Sequence, residues 1–232
     1  MLRRFLHVYQ SKPMPALAFE GARSSDDLTA PPRRQSLPPA PRLAWQSRGV
    51  GRLMAALYAD LVGYSLLFHR DDTGTVERLR QMHRLIRPAI RWHGGHIVQT
   101  AGDSLLVTFD SVGEAVKCAV AIQYELARQN DAWPDDSSLR LRMGLDLGDV
   151  IRDGRDYHGS GIIIAVRLQE VCPPGGVCVS RAAHERGGER LGLPFEPLGA
   201  LLLKNVPQPV EAFVLPPLPR RRSGLRLVEQ PG

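Results

Sequence analysis

The stretch His96-Ile97-Val98-Gln99-Thr100-Ala101-Gly102-Asp103-Ser104-Leu105-Leu106-Val107-Thr108-Phe109 decides the fold. Two short apolar runs, 96–100 and 105–109, flank four residues in which Gly102 and Asp103 supply turn chemistry, and this spacing predicts a hairpin. Upstream, Asp72–Trp92 sets Val76, Leu79, Met82, Ile86 and Ile90 at intervals of three and four, which predicts an amphipathic helix ended by Gly94-Gly95. Before that helix, Leu53–Asp60 (LMAALYAD) reads as a short buried strand closed by a carboxylate. Downstream, Ser111–Arg128 carries Val112, Ala115, Val116, Ala119, Val120, Gln123 and Leu126 along one side, a second helix. Leu139–Leu147 (LRLRMGLDL) alternates, as a strand with one polar face does. The order β-α-β-β-α-β is the split arrangement of ferredoxin-like α+β folds. C-terminal additions follow: a helix at Gly161–Val171, a strand at Gly176–Val179, and pieces near Leu201–Lys204 and Val210–Val214.

Around this core the chain has extensions of a different kind. Residues 1–49 contain seven prolines, and Ala30–Arg42 (APPRRQSLPPAPR) has no periodic apolar face, so it reads as a disordered Pro/Arg-rich arm. Residues 217–232 (PLPRRRSGLRLVEQPG) read as a basic disordered tail, leaving 50–216 as the folded domain. The formal net charge of +6 suggests nucleic acid until it is divided along the chain. The arm has eight Lys/Arg against three acids and the tail four against one, so the domain between them is net −2. With no nucleic-acid-binding motif in the domain, that class is excluded. Three cysteines without CxxC spacing argue against a disulfide framework and a structural zinc site, and fit a reducing cytoplasm. No apolar run approaches the ~20 residues of a transmembrane segment.

Two carboxylates stand at chemically useful places. Asp60 ends the first strand and is followed by Leu61-Val62-Gly63-Tyr64-Ser65; Asp103 sits at the hairpin tip. In a ferredoxin-like sheet the first strand and the hairpin are neighbours, so both carboxylates converge on one edge. Hard oxygen ligands brought together in this way suit Mg²⁺, which commonly takes one or two protein carboxylates and completes its shell with substrate phosphates. Gly63 and Ser65, leading into a helical segment, can offer backbone N–H groups to those phosphates. Taken singly, Asp60 reads better as a strand-end cap and Asp103 as part of an ordinary Gly-Asp turn.

The motifs together resemble the class III nucleotidyl cyclases, bacterial rhizobial-type adenylate cyclases in particular. The resemblance lies in Ala59–Ser65 (ADLVGYS), His93–Ser104 (HGGHIVQTAGDS), Gly144–Val150 (GLDLGDV), Asp156–Glu170 (DYHGSGIIIAVRLQE), Pro174–Ser180 (PGGVCVS) and Leu203-Lys204-Asn205, in order across roughly 51–215. It implies that ATP is converted to cyclic AMP and pyrophosphate at the interface of a homodimer or heterodimer, with two Mg²⁺ or Mn²⁺ ions per site. On this resemblance Asp60, Asp103 and the carbonyl of Leu61 hold the metals. Arg167 stabilises the phosphorane from the partner side, Asp156 and Gln99 read adenine, and Lys204 holds the terminal phosphates.

Departures from the family pattern are as informative. Gln99 stands where the family usually has Lys; it can still donate to the adenine ring. Neither Gln99 nor Asp156 supplies the guanine-reading pair, Glu with Cys or Ser. Ile163 replaces an Asn that orients the ribose, and Ser160 an Asp. Losing such a positioning contact costs about 10²-fold. The expectation is therefore an adenylate cyclase weakened at Ile163, or one half of a heterodimeric enzyme. The alternative is a degenerate pseudo-cyclase that binds nucleotide or dimerises as a regulatory module.

Overall fold

In the computed structural model the described residues are 51–131 and 138–217. The predicted arm 1–49 and the predicted tail beyond Pro217 lie outside them. The elements run β1 (Arg52–Leu61), α1 (Tyr64–Arg70), α2 (Asp72–Trp92), β2 (His96–Ala101), β3 (Ser104–Phe109), α3 (Val112–Asn130), β4 (Leu141–Asp153), β5 (Asp156–His158), α4 (Ser160–Val171), β6 (Val177–Ser180), α5 (Arg181–Ala183), β7 (Glu196–Leu201) and β8 (Val210–Leu215). A π turn at His184–Gly188 and a 3₁₀ turn at Glu189–Leu191 connect α5 to β7.

The sheet order is β2-β3-β1-β4-β6-β8-β7. Its first four strands are the ferredoxin-like set predicted from the hairpin, antiparallel throughout. β6 then adds parallel to β4, and β8 and β7 follow antiparallel. Alternation along each strand sorts residues onto two faces. Leu57, Ala59, Leu105, Val107, Phe109 and Leu145 pack with Met82, Ile86 and Ile90 of α2 and with Val116, Ala119 and Ile122 of α3, forming the main core. The opposite face carries Met54, Ala56 and Val150, packed against Ala165 of α4.

Glycines let α4 approach that second face closely. A Cβ at Gly144 would lie 2.0 Å from the carbonyl oxygen of Ala165, and one at Gly148 would lie 2.7 Å from the Cα of Gly161. The four-residue spacing of Gly144 and Gly148 puts both on the same side of β4, so the helix lies along a groove without side chains. Gly159 opens the helix with φ 137°, a conformation available to glycine alone.

Several local expectations change. β4 is longer than the alternating run predicts, because it continues past Leu147 to pair with β5. Asp146 and Asp149 are therefore mid-strand rather than terminal, and Asp146 is buried, its carboxyl pushed upward by that burial against hydrogen bonds from Ser180 and the Leu147 main chain. β7 precedes the predicted piece at Leu201–Lys204, most of which is the turn into β8. Trp92, at the end of α2, is 67% exposed. His93, just after α2, is buried, with Nδ1 2.7 Å from the Glu114 carboxylate. All three cysteines are free and buried. Among the described residues no helix is long and apolar enough to cross a membrane.

Candidate active site

Asp60 is the penultimate residue of β1, and its neighbours in register fix where it points. Met54, Ala56 and Tyr58 are on the α4 side of the sheet, so period-two alternation puts Asp60 there too. Leu61, buried in the main core, turns the other way and leaves its carbonyl as the only group it can offer a cation. The β2–β3 hairpin brings Asp103 alongside, near enough for its carboxyl to feel that of Asp60. Burial first, and then the charge of Asp60, push the Asp103 carboxyl above its ordinary value, against a main-chain hydrogen bond that pulls it down. Two neighbouring carboxyl groups, one with raised proton affinity, repel each other when both are ionised. That donor set fits a hard divalent cation. Among the described residues there is no cluster of three or more His, Cys, Asp or Glu side chains arranged for a metal. Main-chain, water or substrate oxygens would therefore complete the shell, as is common for Mg²⁺.

Two residues that the sequence reading passed over complete this corner. Arg142, opposite Asp60 in the β1–β4 register, donates through Nη2 to Asp60 Oδ2 at 3.5 Å. Gln169 of α4 donates through Nε2 to the same oxygen, also at 3.5 Å. The Nε of Arg142 is buried without a hydrogen-bond partner, while the side chain as a whole is about a third exposed. Arg142 was legible as the polar member of an alternating strand paired with β1. Gln169 was legible as a polar residue on the helix side shared by Ala165 and Leu168.

Beyond Asp60, Gly63 adopts φ 70° and starts α1, with Leu67 N–H bonded to its carbonyl. Ser65 is exposed in the first turn of that helix. The Val62 amide is already taken by the Arg140 carbonyl, so N–H groups free for an anion begin after the glycine.

The other predicted residues are spread over the chain. Gln99 is exposed on β2, just past a register shift between Ile97 and Gln99. That bulge, at Val98, turns Gln99 to pair with Leu106, on the α4 side of the sheet; regular alternation would aim it into the α2–α3 core. Asp156 is exposed at the start of β5. Between these strands lies a cavity of about 230 Å³ lined by Arg52, Met54, Val98, Val150, Arg152 and Tyr157, among others. Arg167 is on α4 facing away from the sheet, ion-paired with Glu170, its Nε buried without a partner. Ile163, one turn earlier on the same stripe, is 50% exposed. Lys204 is exposed in the β7–β8 turn, beside Asn205 at φ 59°. Of the predicted side chains, Asp60 and Asp103 are the pair that influence each other's ionisation.

No family model matches the chain. A Rhizobium meliloti (strain 1021) protein named "Putative adenylate cyclase 3" is 35% identical over 181 residues, which cover 78% of this chain and 31% of that protein. An adenylate cyclase of Streptomyces coelicolor is 28% identical over 137 residues, 59% of this chain and 34% of that protein. The chain thus spans about a third of the length of these two relatives. Among solved structures, an adenylate/guanylate cyclase/hydrolase from Silicibacter pomeroyi superposes with a TM-score of 0.69 at 34% identity, covering 74% of this chain and all of that one. The adenylyl cyclase CyaB of P. aeruginosa superposes at 0.64 with 16% identity, a likeness of fold. With the whole of a solved cyclase domain matched at that identity, the chain belongs to the family of class III adenylate and guanylate cyclase catalytic domains.

Proposed function

We propose that the chain is an adenylate cyclase catalytic subunit that converts ATP to cyclic AMP and pyrophosphate at a dimer interface. The observation that carries this reading is the juxtaposition of Asp60 and Asp103, two carboxyl groups from separate elements, one of them with raised proton affinity. Asp60, Asp103 and the Leu61 carbonyl would hold two Mg²⁺ or Mn²⁺ ions, which supply charge neutralisation at the attacking 3′ oxygen and the leaving pyrophosphate. The Arg142 side chain is about a third exposed, so its Nη end can donate to a phosphate oxygen, and the first amides of α1, after Gly63, can cap the same group.

The remaining roles fall to a second subunit. Arg167, Asp156, Gln99 and Lys204 do not touch the carboxylate pair of their own chain, and the stripe of α4 that carries Arg167 faces outward. Exposure of Ile163 on that stripe supports a surface that another subunit covers. Arg167 from the second subunit would meet the charge that develops on the α-phosphorus, Asp156 and Gln99 the adenine edge, and Lys204 the terminal phosphates. Gln99 with Asp156 favours ATP over GTP.

Ile163 favours a second reading, in which the chain is catalytically degenerate or supplies the metal half to a different partner. An Ile has no donor or acceptor with which to orient a ribose. Purified protein assayed with Mn²⁺–ATP, as wild type and as Ile163→Asn, separates the readings. Cyclic AMP from the wild type supports the enzyme. Silence followed by recovery in the variant supports erosion at this position, and ATP binding without turnover in both supports a regulatory module. Activity that survives Asp60→Ala overturns the metal assignment.

A further inference from the structure

Gln169 is 4% exposed, on the helix face that also buries Gly161, Ala165 and Leu168. A position that needed only volume would take Leu or Met there and avoid desolvating a carboxamide. The amide instead spends a hydrogen bond on one oxygen of Asp60. The helix has no slack at this point: a Cβ on Gly144 would lie 2.4 Å from the Gln169 amide nitrogen, so the backbone of residue 169 is pressed against β4. Arg142 reaches the same Oδ2 from the strand. Two donors, each 3.5 Å from Oδ2, restrain the carboxylate from strand and helix, with Asp103 as its neighbour from the hairpin.

We propose that Gln169 is a positioning residue of the carboxylate site, holding Asp60 in the one orientation that lets Asp60 and Asp103 share a divalent cation. The proposal rests on the metal role given above to these two carboxylates. Loss of a hydrogen-bonded partner behind a ligating carboxylate weakens metal binding about 10–100-fold, because the ligand must then be ordered by the metal itself. Gln169→Met keeps the length of the side chain and its helix propensity but removes the donor. Gln169→Asn keeps the amide and withdraws it by one carbon.

The test is Mn²⁺ binding to the full chain, read by electron paramagnetic resonance, with melting temperature in chelator and cyclic AMP formation alongside. Both variants are expected to bind Mn²⁺ about tenfold more weakly than wild type. Their metal-free melting temperatures should stay within about 2 °C of it. The concentration of Mn²⁺ needed for half-maximal turnover should rise by the same factor, while kcat at saturating Mn²⁺ stays within about threefold. Mn²⁺ affinity within about twofold of wild type in either folded variant overturns the proposal. So does a loss of affinity that appears only with a lowered melting temperature, since that describes packing. Mn²⁺ binding by a wild type that makes no cyclic AMP defeats the cyclase reading, and the binding constants still decide the role of Gln169. A wild type that binds no Mn²⁺ overturns this proposal together with the metal assignment.

Discussion

The two sets of candidate residues on this chain are built in opposite ways. Asp60, Asp103, Arg142 and Gln169 come from two strands, a hairpin turn and a helix, yet they meet within one subunit around Asp60. Gln99, Asp156 and Lys204 are exposed on separate elements, and Arg167 is turned outward onto Glu170. On the proposed reading, the first set is a finished half-site. The second is a collection of groups whose acceptors must come from elsewhere. A single chain that completes one half and displays the other is what a shared site at a two-fold interface requires.

The sharpest way to break this comparison is Asp60→Asn, which preserves shape and removes one charge from the finished half. Cyclic AMP formation is expected to fall about a thousandfold or more, since the charge that holds the cation is lost. Measurement of kcat and Mn²⁺ binding on the same sample checks it, and intact Mn²⁺ binding would reassign the carboxylate. Arg167→Ala, in the displayed half, should lower kcat about 10²- to 10³-fold and leave Mn²⁺ binding unchanged. The two variants mixed in equal amounts should regain about a quarter of the starting activity, because half of the dimers are then mixed and each mixed dimer has one intact site of two. The parent is whichever background turns over, wild type or Ile163→Asn. No recovery on mixing would mean that both halves act within one subunit.

The same contrast governs what the sequence reveals. Asp60 and Asp103 are legible because a strand end and a hairpin tip follow from hydrophobic periodicity, and ferredoxin-like order makes the two neighbours. Arg142 is harder to read: in the alternating run it is one of several polar residues, and only the register opposite Asp60 singles it out. Gln169 looks like a poor core residue until α4 is known to lie on glycines. Gln99 depends on the bulge at Val98, a one-residue irregularity that periodicity does not announce. β5 has three residues, too few for a strand signal, and the π turn at His184–Gly188 has no pattern of its own. His93 follows a helix and precedes two glycines, the local signature of an exposed turn, yet pairing with Glu114 takes it inside. Local order is written in short spacings, whereas these residues are defined by contacts far along the chain.

The smallest expected effect concerns the cost of the finished half when it is empty of cations. The Asp103 carboxyl is raised in the folded protein, by burial and then by Asp60, so the native state holds its proton more tightly than the unfolded chain does. The stabilisation linked to that proton is complete below the unfolded value and is lost as pH rises through the higher folded value. At neutral pH the chelated protein therefore carries a penalty that Asp103→Asn removes. Because Asp103 keeps some contact with solvent, the gain is under about 1 kcal/mol, or roughly 2–4 °C in melting temperature for a domain of this size. The advantage of the variant should shrink toward zero as pH falls to the ordinary Asp value of 3.8. Saturating Mn²⁺ at neutral pH should reverse the ranking, since ligand at 100 times its Kd adds about 2.7 kcal/mol to the wild type and little to the variant. Melting curves in chelator and in Mn²⁺ across pH test this crossing. A variant that is less stable than wild type in both conditions would mean that Asp103 holds the hairpin together and that its place beside Asp60 is structural.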